Sequence, residues 1–168
     1  MPTSQIINVL IAFDCESILE RYRNPSMDPD HPTWVDPQYI LMTTRQDRII
    51  GSPGGELNFR AEVEDIIRWR ETTLSLDDNY SALLYRYESN AARLLTDPEP
   101  VVVDTMLPYP NPDAPKDSPS FLTQRVKSHY WRADVRSVGS VTYHFSFQIL
   151  DGTHVRGYFA WDPFITIE

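Results

Sequence analysis

Oxygen-bearing side chains crowd the stretch Arg21–Ile40, RYRNPSMDPDHPTWVDPQYI. Asn24, Asp28, Asp30 and Asp36 supply the donor type that a hard cation such as Ca²⁺ takes, usually six to eight oxygens from closely spaced carboxylates and carbonyls. Their spacing is not that of an EF-hand, and no glycine provides its sharp turn. The same stretch holds Pro25, Pro29, Pro32 and Pro37. Each proline forces an extended residue before it, so the segment also reads as a stiff crossover whose aspartates accept from neighbouring N–H groups. Trp34 in this segment and Tyr109 in the proline-rich Leu107–Ser120 (LPYPNPDAPKDSPS) are candidate stacking platforms. Exposed rings of this kind bind sugars through their apolar C–H faces. One functional reading is therefore a carbohydrate-binding surface at Trp34 and Tyr109, with Ca²⁺ held by Asn24, Asp28, Asp30 and Asp36.

Other chemistry finds little support. Gly51-Ser52-Pro53-Gly54-Gly55 has neither the G-x-S-x-G of a nucleophile elbow nor the Gly-Lys-Ser/Thr of a phosphate loop, and reads as a hairpin loop. Glu62–Trp69 (EVEDIIRW) resembles the G-D-x-V-x-W strand of copper-binding sandwiches. A blue-copper centre needs two His and a Cys near the end of the fold; the single cysteine is Cys15, and His31, His129, His144 and His154 lack ligand spacing. They read as structural histidines on a wet sheet face. Asp14 and Glu16 suit a helix N-terminus, and Asp77-Asp78 suits a turn. No nucleophile, base and orienting group fall into a recognisable pattern, so the expectation is a protein without enzymatic activity and without an established cofactor.

Charge narrows the partners. With 24 acidic and 15 basic side chains among 168 residues, the net charge is −9. Such a surface repels phosphate backbones and anionic headgroups, which argues against nucleic acid and membrane. Ile6–Phe13 (IINVLIAF) is apolar, but no basic residue precedes it and eight residues cannot span a bilayer. It reads as a buried strand, and a cytoplasmic location is expected.

Positioning these residues falls to strands. Val141–Leu150 (VTYHFSFQIL) alternates apolar and polar without a break, and Val155–Trp161 repeats the pattern. Paired residues share a sheet face, so odd positions must meet odd positions. A three-residue loop, Leu150-Asp151-Gly152, satisfies that rule, pairing Phe147 with Val155 and Phe145 with Gly157. Leu57–Arg70 alternates too, with Asp65 alone breaking parity, so a turn at Glu64-Asp65 is expected to split it. Tyr39–Thr44, Ser81–Tyr87, Val101–Asp104, His129–Val135 and Phe164–Ile167 are further strands, while Leu107–Ser120 reads as an extended, solvated loop. Asp14 caps a short helix through Cys15, Ile18, Leu19 and Tyr22, stopped before Pro25. Asn90–Leu95 forms one further turn. The whole chain, 1–168, reads as one all-β domain, an antiparallel β-sandwich of jelly-roll or immunoglobulin/cupredoxin-like type with one short N-terminal helix.

Several phrases then combine. Ile7–Leu19 (INVLIAFDCESIL), Asn24-Pro25-Ser26, Tyr39–Gln46 (YILMTTRQ), Asp65–Ser75 (DIIRWRETTLS), Trp131–Val135 (WRADV) and Gly157–Ile165 (GYFAWDPFI) together resemble the AidA/PixA family of bacterial inclusion-body proteins. The resemblance implies a bacterial protein, often under quorum-sensing control and linked to life with a host, with some relatives accumulating as intracellular inclusions. It implies no reaction and no catalytic residues. The inclusion-forming relatives are methionine-rich, whereas this chain has only Met1, Met27, Met42 and Met106, which argues against methionine storage. Self-association into a homo-oligomer, through sheet edges or apolar faces, is the first functional expectation; carbohydrate binding is the second.

Overall fold

A computed structural model describes residues 3–76 and 79–168. Asp77 and Asp78, expected in a turn, lie outside the described residues, as does Met1. Twelve strands and one α-helix are present among the described residues: β1 (Ile6–Phe13), α1 (Cys15–Arg21), β2 (Thr33–Trp34), β3 (Ile40–Thr43), β4 (Ile49–Ile50), β5 (Asn58–Ala61), β6 (Ile66–Thr73), β7 (Tyr80–Ser89), β8 (Glu99–Pro110), β9 (Phe121–Asp134), β10 (Gly139–Asp151), β11 (His154–Trp161) and β12 (Phe164–Ile167). They form two sheets of a sandwich. One runs β3-β1-β6-β9-β8; the other runs β2-β11-β10-β12-β5-β4, with β7 also pairing β10. The pairings are mostly antiparallel, but β1–β6, β2–β11 and β5–β12 are parallel. Each parallel pair joins strands far apart in sequence, a feature that local alternation does not encode.

The alternation decides which face is buried. Ile7, Val9 and Ile11 of β1, Ile67 and Trp69 of β6, and Trp131 and Ala133 of β9 turn inward against Val141, Tyr143, Phe145, Phe147 and Ile149 of β10. Their aromatics interlock: Phe13 stacks on Phe147 at 4.1 Å between centroids, and Trp161 meets Phe13 edge-on at 5.2 Å. Trp69 donates Nε1–H to the Tyr143 hydroxyl at 3.3 Å, which satisfies the indole in an otherwise apolar layer. Ile6 and Leu10, on the other parity of β1, remain exposed. The strand is therefore buried on one side only in its first half.

The split in Leu57–Arg70 falls where expected, with Glu64 at φ 76° between β5 and β6. Asp65 breaks parity because it is a buried clasp rather than a core residue. Its carboxylate accepts from the Gln5 and Glu62 backbone N–H groups at 2.9 and 3.0 Å and from Arg48 Nη1 at 3.4 Å. Asp14 caps α1, accepting from Ser17 N–H at 3.2 Å, and the helix ends before Pro25. Burial, with Asp14 and Glu16 on either side, pushes the Cys15 thiol up to about 12. Ala91–Leu94 closes one hydrogen-bonded turn at 3.0 Å.

Two expectations require correction. In the β10–β11 hairpin, Phe145 pairs with Trp161, Phe147 with Phe159 and Ile149 with Gly157, not with Gly157 and Val155 as a three-residue loop would impose. Odd still meets odd, but the register shifts between Ile149 and Leu150, leaving Arg156 as the extra residue, and the turn shortens to Gly152-Thr153. Gly152 keeps its left-handed φ of 58°. A bulge thus does what the longer loop was expected to do.

The second correction concerns Leu107–Ser120. Leu107–Pro110 belong to β8, and β8 and β9 continue as a paired hairpin out to Pro110 and Phe121. Only residues 111–120 form its loop. Strand is compatible with Pro100, Pro108 and Pro110 because all three share one parity on the edge strand. Proline cannot donate to β9, so the positions that lack an N–H face the free edge. No helix among the described residues is long and apolar enough to cross a membrane.

Candidate functional site

The stiff crossover after α1 is pinned down rather than free. Tyr158 N–H donates to the Ser26 carbonyl at 2.9 Å, and Ser26 N–H donates to Thr33 Oγ1 at 2.8 Å. Gly157 is where the loop comes closest, since a Cβ there would lie 2.7 Å from Pro25 Cβ and Cγ. Asp28 Oδ1 accepts from Asp30 N–H at 2.9 Å, and its Oδ2 meets His31 Nδ1 at 2.8 Å. That histidine, followed by the Asp30 N–H, holds the Asp28 carboxyl below the usual carboxylate range, while Asp28 raises the His31 ring. Asp30 Oδ1 accepts from Arg86 Nη2 at 2.7 Å, and Arg86 Nη1 and the Tyr85 hydroxyl donate to the Pro29 carbonyl. Asp36 caps a short 3₁₀ turn through Gln38 N–H at 3.0 Å. Asn24 is exposed on the loop.

The structure therefore brings Asp28 and Asp30 together but gives Asp36 a separate task. Among the described residues no three His, Cys, Asp or Glu side chains are placed to hold one metal ion. Each aspartate already accepts from a protein donor, in the manner of turn chemistry.

Trp34 is better placed for a ligand. β2 runs parallel to Phe159–Ala160, which lays the indole on the outer face of the seven-stranded sheet, 53% exposed. Its ring meets His144 at 5.1 Å between centroids and 66° between planes. His144 Nε2 lies 2.9 Å from Glu88 Oε2. A cleft of 330 Å³ opens here, lined by Asp30, His31, Trp34, Arg86, Glu88 and His144. The arrangement combines one apolar ring face with hydrogen-bonding groups of both kinds around it. Arg86, Glu88 and His144 escaped the sequence reading because β7 pairs with β10 across a long sequence separation. The polar parity of His144 within Val141–Leu150 was the one signal present. Tyr109 does not line this cleft; it faces Leu122 across β8 and β9.

The second candidate surface is the β8–β9 arm. β6 pairs with β9 only over Trp131–Asp134, so Val103–Pro110 and Phe121–Ser128 are laddered to each other alone. At about 3.4 Å per residue this part is roughly 27 Å long. Register fixes its faces. Val103, Thr105, Leu107 and Tyr109 share one face with Ser128, Val126, Gln124 and Leu122, and none of these is charged. Leu107 is 47% and Leu122 43% exposed. The opposite face carries the Asp104–Lys127 pair and Arg125, with Met106 and Phe121 also exposed on it; it is the charges that distinguish the two faces.

No curated protein matches the chain. The crystal structure of the inclusion body protein PixA from Burkholderia cenocepacia J2315 superposes with a TM-score of 0.83 at 18% identity, covering 99% of this chain and 98% of that one. The cysteine protease inhibitor EhICP2 from Entamoeba histolytica aligns over 100% of both chains at 10% identity with a TM-score of 0.35. The multicopper oxidase Fet3p aligns with 99% of this chain and 28% of its own, at 6% identity and a TM-score of 0.38. The PixA family, described as inclusion body protein, matches residues 5–167. This chain belongs to the PixA inclusion body protein family.

Proposed function

We propose that the protein is non-enzymatic and acts by self-association, the β8–β9 arm of one copy packing against the arm of a second. The observation that carries this reading is the uncharged face, with Val103, Leu107, Tyr109, Leu122 and Val126 along it, of an arm only two strands wide. A two-stranded ribbon alone is marginally stable in water and gains most by burying such a face. The occupant is a second copy because the stripe is self-complementary. Two arms laid antiparallel about a two-fold axis place Leu107 and Leu122 of each against the other, in an isologous contact. Association through this face also keeps the carboxylates of a −9 chain away from the contact. Edge pairing is disfavoured by the prolines of β8. In the cell the proposal is accumulation in bacterial intracellular inclusions, under population-density or host-linked control; transcript abundance against cell density tests the latter.

Sedimentation velocity over a concentration series, from neutral pH down towards the pI near 4.8, tests the self-association. Reversible association that strengthens as the charge falls is expected, and Leu107→Glu with Leu122→Glu abolishes it. A strict monomer at every concentration and pH overturns the proposal.

A second reading, carbohydrate binding, is favoured by the exposed Trp34 ring beside Arg86, Glu88 and His144. Ring stacking on a sugar with polar groups at its rim is the chemistry proposed there. Ca²⁺, if used, would have to displace the Asp28–His31 and Asp30–Arg86 contacts. A glycan array and Ca²⁺ calorimetry decide it, and silence in both removes the reading.

A further inference from the structure

We propose that a groove on the outer face of the five-stranded sheet binds a small organic anion, a carboxylate or phosphate monoester carried on a planar apolar body. The groove measures 460 Å³ and is lined chiefly by Asn8, Leu10, Thr44, Arg68, Arg70 and Tyr130, with no acidic residue on its walls. Arg68 and Arg70 are two positions apart on β6, so their side chains leave the same face about 7 Å apart.

Both guanidinium groups are held in place by neutral acceptors. Arg68 Nε donates to Asn8 Oδ1 at 2.9 Å, and its Cζ lies 5.0 Å from the Tyr130 ring centroid. Arg70 Nε donates to the His129 carbonyl at 3.3 Å and Nη2 to Ser128 Oγ at 2.7 Å. Among the described residues neither forms an ion pair, whereas Arg45, Arg48, Arg60, Arg86, Arg132 and Arg156 all do. Arg21, Arg23, Arg93, Arg125 and Arg136 also lack an ion pair among the described residues; what sets Arg68 and Arg70 apart is that neutral acceptors fix both over one groove. Glu71, which acts on Arg70 through space, is buried on the opposite face and engaged by His129.

The remaining N–H donors match a bidentate oxyanion, and fixing the guanidinium groups beforehand reduces the ordering cost of binding. Leu10 and the Tyr130 ring flank the arginines and offer the wall for an apolar body. The volume falls in the small-molecule range of roughly 300–1,000 Å³. The net charge does not prevent this, because it is screened beyond about 8 Å at physiological salt while the arginines touch the ligand. A polyanion would meet the full repulsion of the chain; a small anion meets the local field.

Calorimetry at low salt with phenyl phosphate, benzoate, inorganic phosphate and uncharged benzyl alcohol tests the site on the full chain. Saturable binding of phenyl phosphate or benzoate is expected, at least tenfold tighter than benzyl alcohol and weakening as NaCl is added. Arg68→Gln with Arg70→Gln should lose at least tenfold in affinity. Arg70→Gln alone, at an exposed position, serves if the double variant does not fold. Inorganic phosphate binding as tightly as phenyl phosphate overturns the organic body in favour of a bare oxyanion site. Absence of saturable binding by both aromatic anions, or unchanged affinity in the arginine variants, overturns the site itself. The groove adjoins the arm face at Ser128, so binding is titrated at a concentration where sedimentation shows monomer, and failure of either proposal is then read separately.

Discussion

Asp65→Ala tests whether the buried clasp ties the starts of β1 and β6 in the five-stranded sheet to the β4–β5 edge of the other sheet. Asp65 is 2% exposed and carries three contacts: Gln5 N–H on Oδ1, and Glu62 N–H and Arg48 Nη1 on Oδ2. The Arg48 side chain is itself 9% exposed, with Gln5 Oε1 at 2.6 Å and Glu62 Oε1 at 3.8 Å as its other partners. Alanine would leave a buried guanidinium with one close neutral acceptor and two backbone donors without theirs. Breaking a buried pair by removing one partner costs about 3–5 kcal/mol. The hydrogen-bond losses lie within that figure rather than adding to it, because all three contacts share one group. For a chain of this size 1 kcal/mol moves Tm by about 2–4 °C, so a fall of about 6–20 °C is expected. Thermal denaturation of wild type, Asp65→Ala and Asp65→Asn measures the fall and urea denaturation the free energy, with Asn intermediate because its amide oxygen still accepts. Glu62→Ala is the control; its half-exposed carboxylate at 3.8 Å is worth at most about 1 kcal/mol. An Asp65→Ala loss below about 1 kcal/mol, or a Glu62→Ala loss equal to it, refutes the reasoning.

Cys15, with its thiol pushed up to about 12, should resist iodoacetamide at pH 8, where only about one thiol in 10⁴ is ionised; intact-mass labelling of native against unfolded protein checks this, and rapid native alkylation would contradict it. Burial raises the Glu71 carboxyl above its ordinary 4.5, with His129 and Arg70 opposing. A raised folded value means stability that is present below the ordinary range and lost as pH climbs through the folded value. The stability of wild type relative to Glu71→Gln should therefore fall as pH rises from about 4.5, read by urea titrations at several pH values; a difference that grows would count against burial as the dominant cause. Gly157→Ala should push Pro25 off β11, lowering stability by roughly 1–3 kcal/mol. In a Trp34 fluorescence readout it should also disturb the cleft, more than Gly152→Ala at the open turn does.

Much of the sandwich was legible because its strands are half-buried. Val141–Leu150 alternates so cleanly that its inward set could be named residue by residue, and Asp65 stood out as the one polar residue on an apolar parity. The odd-with-odd rule also held in the β10–β11 hairpin. The device that enforces it did not follow, because a bulge at Arg156 and a longer loop give the same parity, and only packing chooses between them. Leu107–Ser120 was misleading for a related reason. Five prolines suggest a loop, and only the edge position of β8, a property of the whole sheet, makes Pro108 and Pro110 compatible with strand. The Trp34 cleft was half visible. The indole and Asp30 lie in one segment, but Arg86, Glu88 and His144 reach them through the β7–β10 ladder, which no local pattern announces. Tyr109 shared an aromatic signal with Trp34, yet the fold places it on the arm.

The central claim is that the uncharged face of the β8–β9 arm is where copies of this chain meet. Hydrogen–deuterium exchange followed by peptide mass spectrometry, run from dilute to concentrated protein, examines that face directly. Amides of Val103–Pro110 and Phe121–Ser128 lack a third strand beside them, so in dilute solution they should exchange faster than those of β10. With rising concentration arm protection should increase while that of β10 is unchanged. Arm exchange that stays fast at every concentration, while the protein demonstrably self-associates, would contradict it.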